Sequence, residues 1–393
     1  MSERSIRGKV AVAGVGETTY YKRGQSPDAE FLLGLKAIVA ACDDAGISPK
    51  EIDGFCSFAD DRNDPSRLSA ALGIKELNLS SMQWGGGGGG AAGVLQNGAA
   101  AIAAGYADVV VCYRALAQGQ FGRYGQGPQV PYIQGERAFT SPYGLMSPAQ
   151  MFAMKVVRFM HEHGIKQEAL RALSMASYHH AQNNPRAVMN GKPLTEEKYD
   201  NSRWIVEPFH LFDCCMENDG AAAILLVSAE RAKDLKQKPA YILGAAHGSG
   251  YRAAAPVHNS GDYPSSNFST VAPHLYRQAQ ITPEDIDVAQ IYENFTGGVL
   301  MTMIEHGLCK PEEANEFFQL DNLIAQGGKL PLNTSGGNLA ECYMHGLGLQ
   351  IEAIRQLRGQ STNQVKDAKI ALAAAGPMVS PVSTIIYGTE DTL

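Results

Sequence analysis

Residues 47–60, ISPKEIDGFCSFAD, and residues 281–294, ITPEDIDVAQIYEN, share the pattern I-[S/T]-P-[K/E]-[E/D]-I-D. In each copy Ser48 or Thr282 is placed to cap a short helical turn that begins with proline, and an apolar strand follows the aspartate. The match extends in both directions. Upstream, KVAVAGVGETTYY (9–21) corresponds to PAYILGAAHGSGY (239–251), both reading as buried strands that end in glycine. Downstream, GGAAGVLQNGAAAIAAGYADVVVCYRA (89–115) corresponds to GGNLAECYMHGLGLQIEAIRQLRG (336–359) followed by AKIALAAAG (368–376). Each is a glycine loop, a helix and a strand. A repeat of this kind obliges both copies to build one supersecondary unit. The order strand, helix, strand, glycine loop, helix, strand occurs twice. This predicts an α/β protein of two similar halves whose central strands run largely parallel. The length of 393 residues agrees, since single cores rarely grow beyond ~250–300 residues.

The first copy then leaves the pattern. Residues 116–206 run through a Gly/Pro/Tyr-rich stretch and two helix-like segments before DGAAAILLVS (219–228) resumes the sheet, in correspondence with SPVSTIIYG (380–388). A long segment between two strands of one sheet reads as an inserted loop subdomain, a usual place for substrate-binding surface. The expected organisation is a first half at 1–115 and 207–236, an insert at 116–206, and a second half at 237–393. The net charge of −7 argues against a nucleic-acid or anionic-membrane partner. No apolar run approaches ~18 residues and MSERSIRGKV has no apolar signal core, so no membrane span is expected and the expected location is cytoplasmic.

Several motifs carry less chemistry than they first promise. The run WGGGGGG (84–90) contains no G-K-[S/T] and is not a phosphate loop. Seven scattered cysteines without a CxxC pair read as buried free thiols. His161 and His163, and the pair His179 and His180, lack a third ligand at metal spacing and are expected on solvated helix faces, so no metal is expected.

The repeat, the insert, the strand start NDGAAA and the turns IYENFT and LNTSGGNLAECYMHG together resemble the thiolase superfamily, in the branch around the sterol carrier protein X thiolases. The resemblance covers nearly the whole chain and implies the thiolase fold, two duplicated α/β halves with mixed central sheets packed in five layers, plus the inserted loop. Thiolases carry a nucleophilic cysteine on the turn before the first-half helix. That turn falls here at Gly87, Gly88 and Gly89, and no cysteine lies between Cys56 and Cys112. The family's second cysteine turn corresponds to ALAAAGPMVS (371–380), which also has none. The family's catalytic histidine position is taken by Tyr343, and the Asn or His of its oxyanion turn by Tyr292. Without a cysteine, Claisen transfer lacks its covalent intermediate.

Two tyrosines in place of two polar catalytic groups look like the thiolase-like aldolases of steroid side-chain degradation. The implied reaction is retro-aldol cleavage of a β-hydroxyacyl-CoA into a ketone and a shorter acyl-CoA, with Tyr292 and Tyr343 as the acid/base and enolate-binding pair. Glu293, Asn294, Asn338 and His345 adjoin these turns as supporting residues, and His247 follows the first strand of the second half within reach of a substrate. With glycine at 87 to 89, the elbow is expected to leave the space of a missing side chain for substrate. CoA enters as part of the substrate and no covalent cofactor is implied. Arg114, Arg123, Arg137 and Arg158, in or near the insert, are candidate phosphate contacts. The resemblance also implies a homodimer joined at a first-half sheet edge and a small OB-fold, zinc-ribbon partner protein. Two alternatives stay open: an atypical thiolase using Cys342, the one thiol expected near the site, or an unrecognised group, and a non-catalytic acyl-CoA or lipid-binding subunit.

Overall fold

The computed structural model describes residues 5–59, 61–84, 87–121, 133–253 and 257–393. The two copies of the repeat build matching strands. In the first half these are β1 (Val10–Glu17), β2 (Gly54–Phe58), β3 (Leu79–Gln83), β4 (Val110–Ala117) and β5 (Asn218–Ser228). In the second they are β6 (Ala240–Gly248), β7 (Val288–Ile291), β8 (Ile370–Ala375) and β9 (Val382–Gly388). The repeated I-[S/T]-P segment folds alike in both. Turns Pro49–Glu51 and Pro283–Asp285 are closed by capping boxes, with Glu51 Oε1 accepting from Ser48 N at 3.0 Å and Asp285 Oδ2 accepting from Thr282 N at 2.8 Å.

Among the described residues the strands form one ten-stranded sheet in the order β7-β8-β9-β6-β1-β5-β4-β2-β3, with the short strand Tyr21–Lys22 beside β5. Its halves meet only through the antiparallel pairs Ala11↔Tyr241 and Val12↔Ala240. The helices explain why so few pairs suffice. Helix α1 (Glu30–Ala45) covers β1, β4 and β5 from outside, while α2 (Gly93–Ala103) packs on strands of both halves. Helices α3 (Pro148–His163) and α4 (Gln167–Gln182) come from the insert. Helix α5 (Ala272–Ala279) covers β6 and β9, α6 (Thr296–Glu305) follows β7, and α7 (Leu347–Arg358) touches β7 and β8 as well as β5. The sheet therefore folds back on itself around α2 and α7, giving the layered thiolase fold. Among the described residues, no helix is long and apolar enough to cross a membrane.

The strands are not largely parallel. Only β2 with β3, β2 with β4 and β7 with β8 run parallel; the other main pairs are antiparallel. The cause lies in the connections. Strands β8 and β9 are joined by residues 376–381, too short for a parallel crossover. Strands β4 and β5 pair in the same antiparallel way although residues 118–217 intervene, so the insert occupies the place of that short turn. The second half also lacks a full counterpart of β3. A single parallel bridge, Ala289↔Leu332, stands there instead.

The insert is anchored beside the second half. Val156 of α3 meets Gly297 at the start of α6, and Phe152 packs edge-on against Phe295 at 5.7 Å. Asp213, fully buried, accepts from Tyr199 and Thr296 hydroxyls at 2.7 Å each and from Ser174 at 3.2 Å, tying the insert to α6. His180 corrects the sequence reading of a solvated His pair. It is fully buried, accepts from Ala325 N at 3.0 Å and is held neutral by burial, with its pKa lowered to about 3. His161, His163 and His179 are exposed as expected.

Candidate active site

Tyr292 follows β7, its amide donating to Ala374 O at 2.9 Å, which keeps the residue in sheet register one position beyond the strand. Tyr343 follows a single π turn at Gly337–Glu341 and precedes α7. The two phenol hydroxyls are 2.6 Å apart and hydrogen-bonded, with ring centroids at 5.8 Å and planes at 63°. Both side chains are buried. The NDGAAA strand start fixes one of them. Asn218 Oδ1 accepts from Tyr343 N at 2.9 Å, while Asn218 N donates to Gln118 Oε1 at 2.7 Å and Nδ2 to Tyr21 O at 3.1 Å.

The glycine run reaches the same place. Gly87–Gly90 form a tight 3-10 turn leading into α2; Gly85 and Gly86 lie outside the described residues. A Cβ on Gly88 would stand 2.0 Å from Tyr292 Cε2, and one on Gly89 2.3 Å from Pro381 O. The space expected beside these two glycines is therefore filled, at Gly88 by the Tyr292 ring itself. Gly87, at φ +51°, has no described atom within 4 Å of such a Cβ and alone leaves room. Ser383 Oγ donates to Gly89 O at 2.6 Å and accepts from Ala92 N at 3.1 Å, and a Cβ on Gly376 would meet Gly89 Cα at 2.3 Å. The two turns that the resemblance aligns with the thiolase cysteine turns thus touch here through bare backbone.

The supporting residues divide. His345 joins the pair, its ring edge-on to Tyr343 at 5.0 Å and 88°. Glu293 faces away, accepting from Asn338 N at 2.8 Å and Ser177 Oγ at 3.0 Å, and burial raises its carboxyl pKa to about 7. Asn338, in the amide orientation that satisfies both its ends, donates to Cys342 O and accepts from Glu293 N, each at 3.3 Å. Asn294 Nδ2 donates to Pro377 O at 2.8 Å, bracing the 376–378 turn. His247 pairs with the Gln83 amide at 3.0 Å and burial lowers its pKa; it stands under the start of α2, where a Cβ on Gly93 would meet its ring at 3.2 Å.

Two readings of the sequence are corrected here. Cys342 is not the one thiol near the phenols. Its side chain turns toward Tyr20 and Gly348, and burial with Glu341 nearby pushes its pKa well above the usual thiol value, which disfavours the thiolate. Cys215, which sequence reasoning missed, makes side-chain contact with Tyr343, and burial pushes its thiol up to about 12. The only local signal was the CC doublet before NDGAAA. Arg114 is also not free for phosphate: it is buried and bonded to Asp61 Oδ2 at 3.1 Å. Arg158 pairs with Glu162 at 2.7 Å and lines a cavity of about 1170 Å³ against α3, Arg137 is exposed, and Arg123 lies outside the described residues. Among the described residues no group of three or more His, Cys, Asp or Glu is placed to hold a metal ion.

Residues 250–389 match the family model described as thiolase C-terminal domain-like. A steroid side-chain-cleaving aldolase of Thermomonospora curvata is 41% identical over 392 residues, spanning 98% of this chain and 99% of the relative. The chain belongs to the thiolase superfamily, in its aldolase branch. Within that branch, the 17-hydroxy-3-oxo-4-pregnene-20-carboxyl-CoA lyase of Mycobacterium tuberculosis is 40% identical, with 98% of this chain and 100% of the relative covered. Among solved structures, an Ltp2-ChsH2(DUF35) aldolase superposes on this thiolase-fold chain with a TM-score of 0.92 and 39% identity, covering 99% of this chain and 100% of that one.

Proposed function

We propose that this chain is a carbon–carbon lyase, a retro-aldolase that cleaves a β-hydroxyacyl-CoA with a steroid ring system on its ketone-forming side. The products are a steroid ketone and a shorter acyl-CoA such as propionyl-CoA. The names of the two 40–41% identical relatives support the reaction class, and one observation carries the assignment to this site. Tyr292 and Tyr343 share a 2.6 Å hydrogen bond at the two turns where thiolases hold catalytic groups, with the nucleophile position closed by a tyrosine ring.

The reaction needs no acyl-enzyme. A base takes the β-hydroxyl proton, the Cα–Cβ bond breaks with its electron pair passing to the thioester enolate, and an acid returns a proton to Cα. Two phenols in one hydrogen bond serve both needs, because a tyrosinate formed on one is stabilised by donation from the other. With the partner protein present, Tyr343→Phe and Tyr292→Phe are each expected to lower kcat by about 100-fold, the lower end of acid/base contributions, without loss of fold. A double variant that still released ketone at the parental rate would end this reading.

The assembly follows the same resemblance. Among the described residues strand β3 pairs only with β2 and leaves an open edge, beside which Met82, Trp84 and Tyr106 are 50%, 86% and 72% exposed. An open apolar edge of this kind is normally covered, and a second copy of the chain pairing along β3 is the proposed cover. Met82→Lys with Trp84→Ala should convert a dimer into a monomer by light scattering; an unchanged mass would place the interface elsewhere. The Ltp2-ChsH2(DUF35) neighbour supports a second, small OB-fold, zinc-ribbon partner, and Arg158 at the insert cavity is the proposed phosphate contact for CoA.

A further inference from the structure

We infer that Arg114 and His345 form a positioning pair that holds Tyr343 against Tyr292, an inference that rests on the phenol pair being the reacting groups. Arg114, on β4, is 4% exposed and its donors are fixed on several sides. Nη1 donates to Phe58 O at 3.0 Å and to Asp61 Oδ2 at 3.1 Å, Nη2 to Ala59 O at 3.0 Å, and Nε to His345 Nδ1 at 3.2 Å. A guanidinium has no acceptor and does not lose its proton in proteins. Nδ1 of His345 must therefore present its lone pair, which places the ring proton on Nε2 and keeps the imidazole neutral. Burial and the Arg114 charge hold the His345 pKa well below the usual histidine range, in agreement with that tautomer.

The backbone here is wound into the left-handed region. His345 sits at φ +49° and Gly346 at φ +84°, two consecutive left-handed residues, the first of them with a ring. A Cβ on Gly346 would lie 2.5 Å from Tyr292 Cδ2, so the same winding that turns His345 inward lets the chain close on Tyr292. The His345 ring then lies between Phe58, at 6.4 Å, and the edge of Tyr343, at 5.0 Å, with Arg114 fixing its plane. Tyr343 is held at its amide by Asn218, at its hydroxyl by Tyr292 and at its ring by His345. The other groups facing this cluster are Cys215 on Tyr343, Glu293 on Cys215, and Arg62 on His345.

The test uses the full chain with its partner and follows ketone release. His345→Leu removes the acceptor for Arg114 and should lower kcat by about 10- to 100-fold, the range that loss of a well-oriented catalytic group produces, with KM changed less than about two-fold. His345→Asn tolerates the left-handed backbone and offers Oδ1 to Arg114, so it should recover most of that loss. A raised KM at unchanged kcat, or parental activity in His345→Leu, would overturn the inference. Should His345→Leu fail to fold, ring ¹⁵N spectra of histidine-labelled protein decide, with His345→Asn assigning the signal. The expected result is an Nε2–H tautomer that stays neutral from pH 8 to 5; an Nδ1–H tautomer, or protonation in that interval, refutes it. Failure of the phenol reading is separate: it shows as an active Tyr343→Phe, whereas an inactive Tyr343→Phe with an unaffected His345→Leu removes only this inference.

Discussion

Gly88→Ala is expected to lower kcat/KM by about 1000-fold, because one methyl group there takes the place of a phenol proposed to react. The added Cβ would lie 2.0, 2.4 and 2.8 Å from Tyr292 Cε2, Cζ and Cδ2. Something must shift, and both sides are held. The Tyr292 ring is confined on another side by Gly346, its hydroxyl is bonded to Tyr343 and its amide to Ala374. The glycine turn is pinned between Pro381 O, 2.3 Å from where a Cβ on Gly89 would stand, and Gly376, whose own added Cβ would lie 2.3 Å from Gly89 Cα. Forcing the methyl in costs roughly 1–3 kcal/mol of overpacking, a modest loss of stability beside the loss of activity. Gly87→Ala is the control: no described atom stands within 4 Å, so it meets only the strain of φ +51° and should keep most of the activity. A cysteine at 88 meets the same ring and should give no acyl transfer. Near-parental turnover in Gly88→Ala would mean that Tyr292 does not occupy the nucleophile's space.

That exchange of volume marks the limit of what the sequence discloses. The repeat, the capped turns and the buried strands are legible because hydrophobic periodicity and Ser/Thr-Pro capping are local. The two tyrosine turns are legible only through the resemblance to the thiolase motifs. What fills the space left by the absent cysteine is not, since Gly88 and Tyr292 are 204 positions apart and meet only through the folded sheet. Strand direction fails for a related reason: a glycine-ended strand reads alike whichever way its neighbour runs. Glu293 adjoins Tyr292 in sequence, yet successive side chains at a strand end point to opposite faces, so the phenol goes to the glycine turn and the carboxylate to Ser177 and Asn338. Cys215 approaches Tyr343 because residues 214–218 thread between the two turns, with Cys215 N on Asn294 O at 3.1 Å and Met216 N on Asn338 O at 3.2 Å. His180 is buried because the segment at Ala325 covers its side of α4, which the helix's own polar pattern does not reveal.

The buried carboxyl of Glu293 should make stability fall as pH rises. Burial is the first cause of its raised pKa, from 4.5 to about 7, and the donors Asn338 N and Ser177 Oγ offset only part of it. A folded-state pKa above the unfolded value gives a contribution fully present below about 4.5 and lost as pH climbs through about 7. At pH 8 the folded chain must carry a buried charge beside the Gly337 turn, where a Cβ would stand 2.1 Å from Glu293 Oε1. Glu293→Gln keeps an oxygen for Asn338 N and turns its NH2 toward the Ser177 hydroxyl, so the hydrogen bonds survive and the charge does not. The variant should therefore be stabilised relative to the parent by roughly 2–3 kcal/mol at pH 8 and by little at pH 5. Glu341, raised to about 7 by burial and by Glu17, acts in the same direction, whereas Glu17, lowered with Arg355 and Arg186 beside it, loses its contribution on the acid side. Thermal or urea unfolding of parent and Glu293→Gln at the two pH values separates these groups, since only the Glu293 share disappears from the difference. Equal stability differences at pH 5 and pH 8, or a less stable variant at pH 8, would show that Glu293 is ionised in the fold without penalty and that its bonds to Asn338 and Ser177, rather than its burial, govern the turn that carries Tyr343.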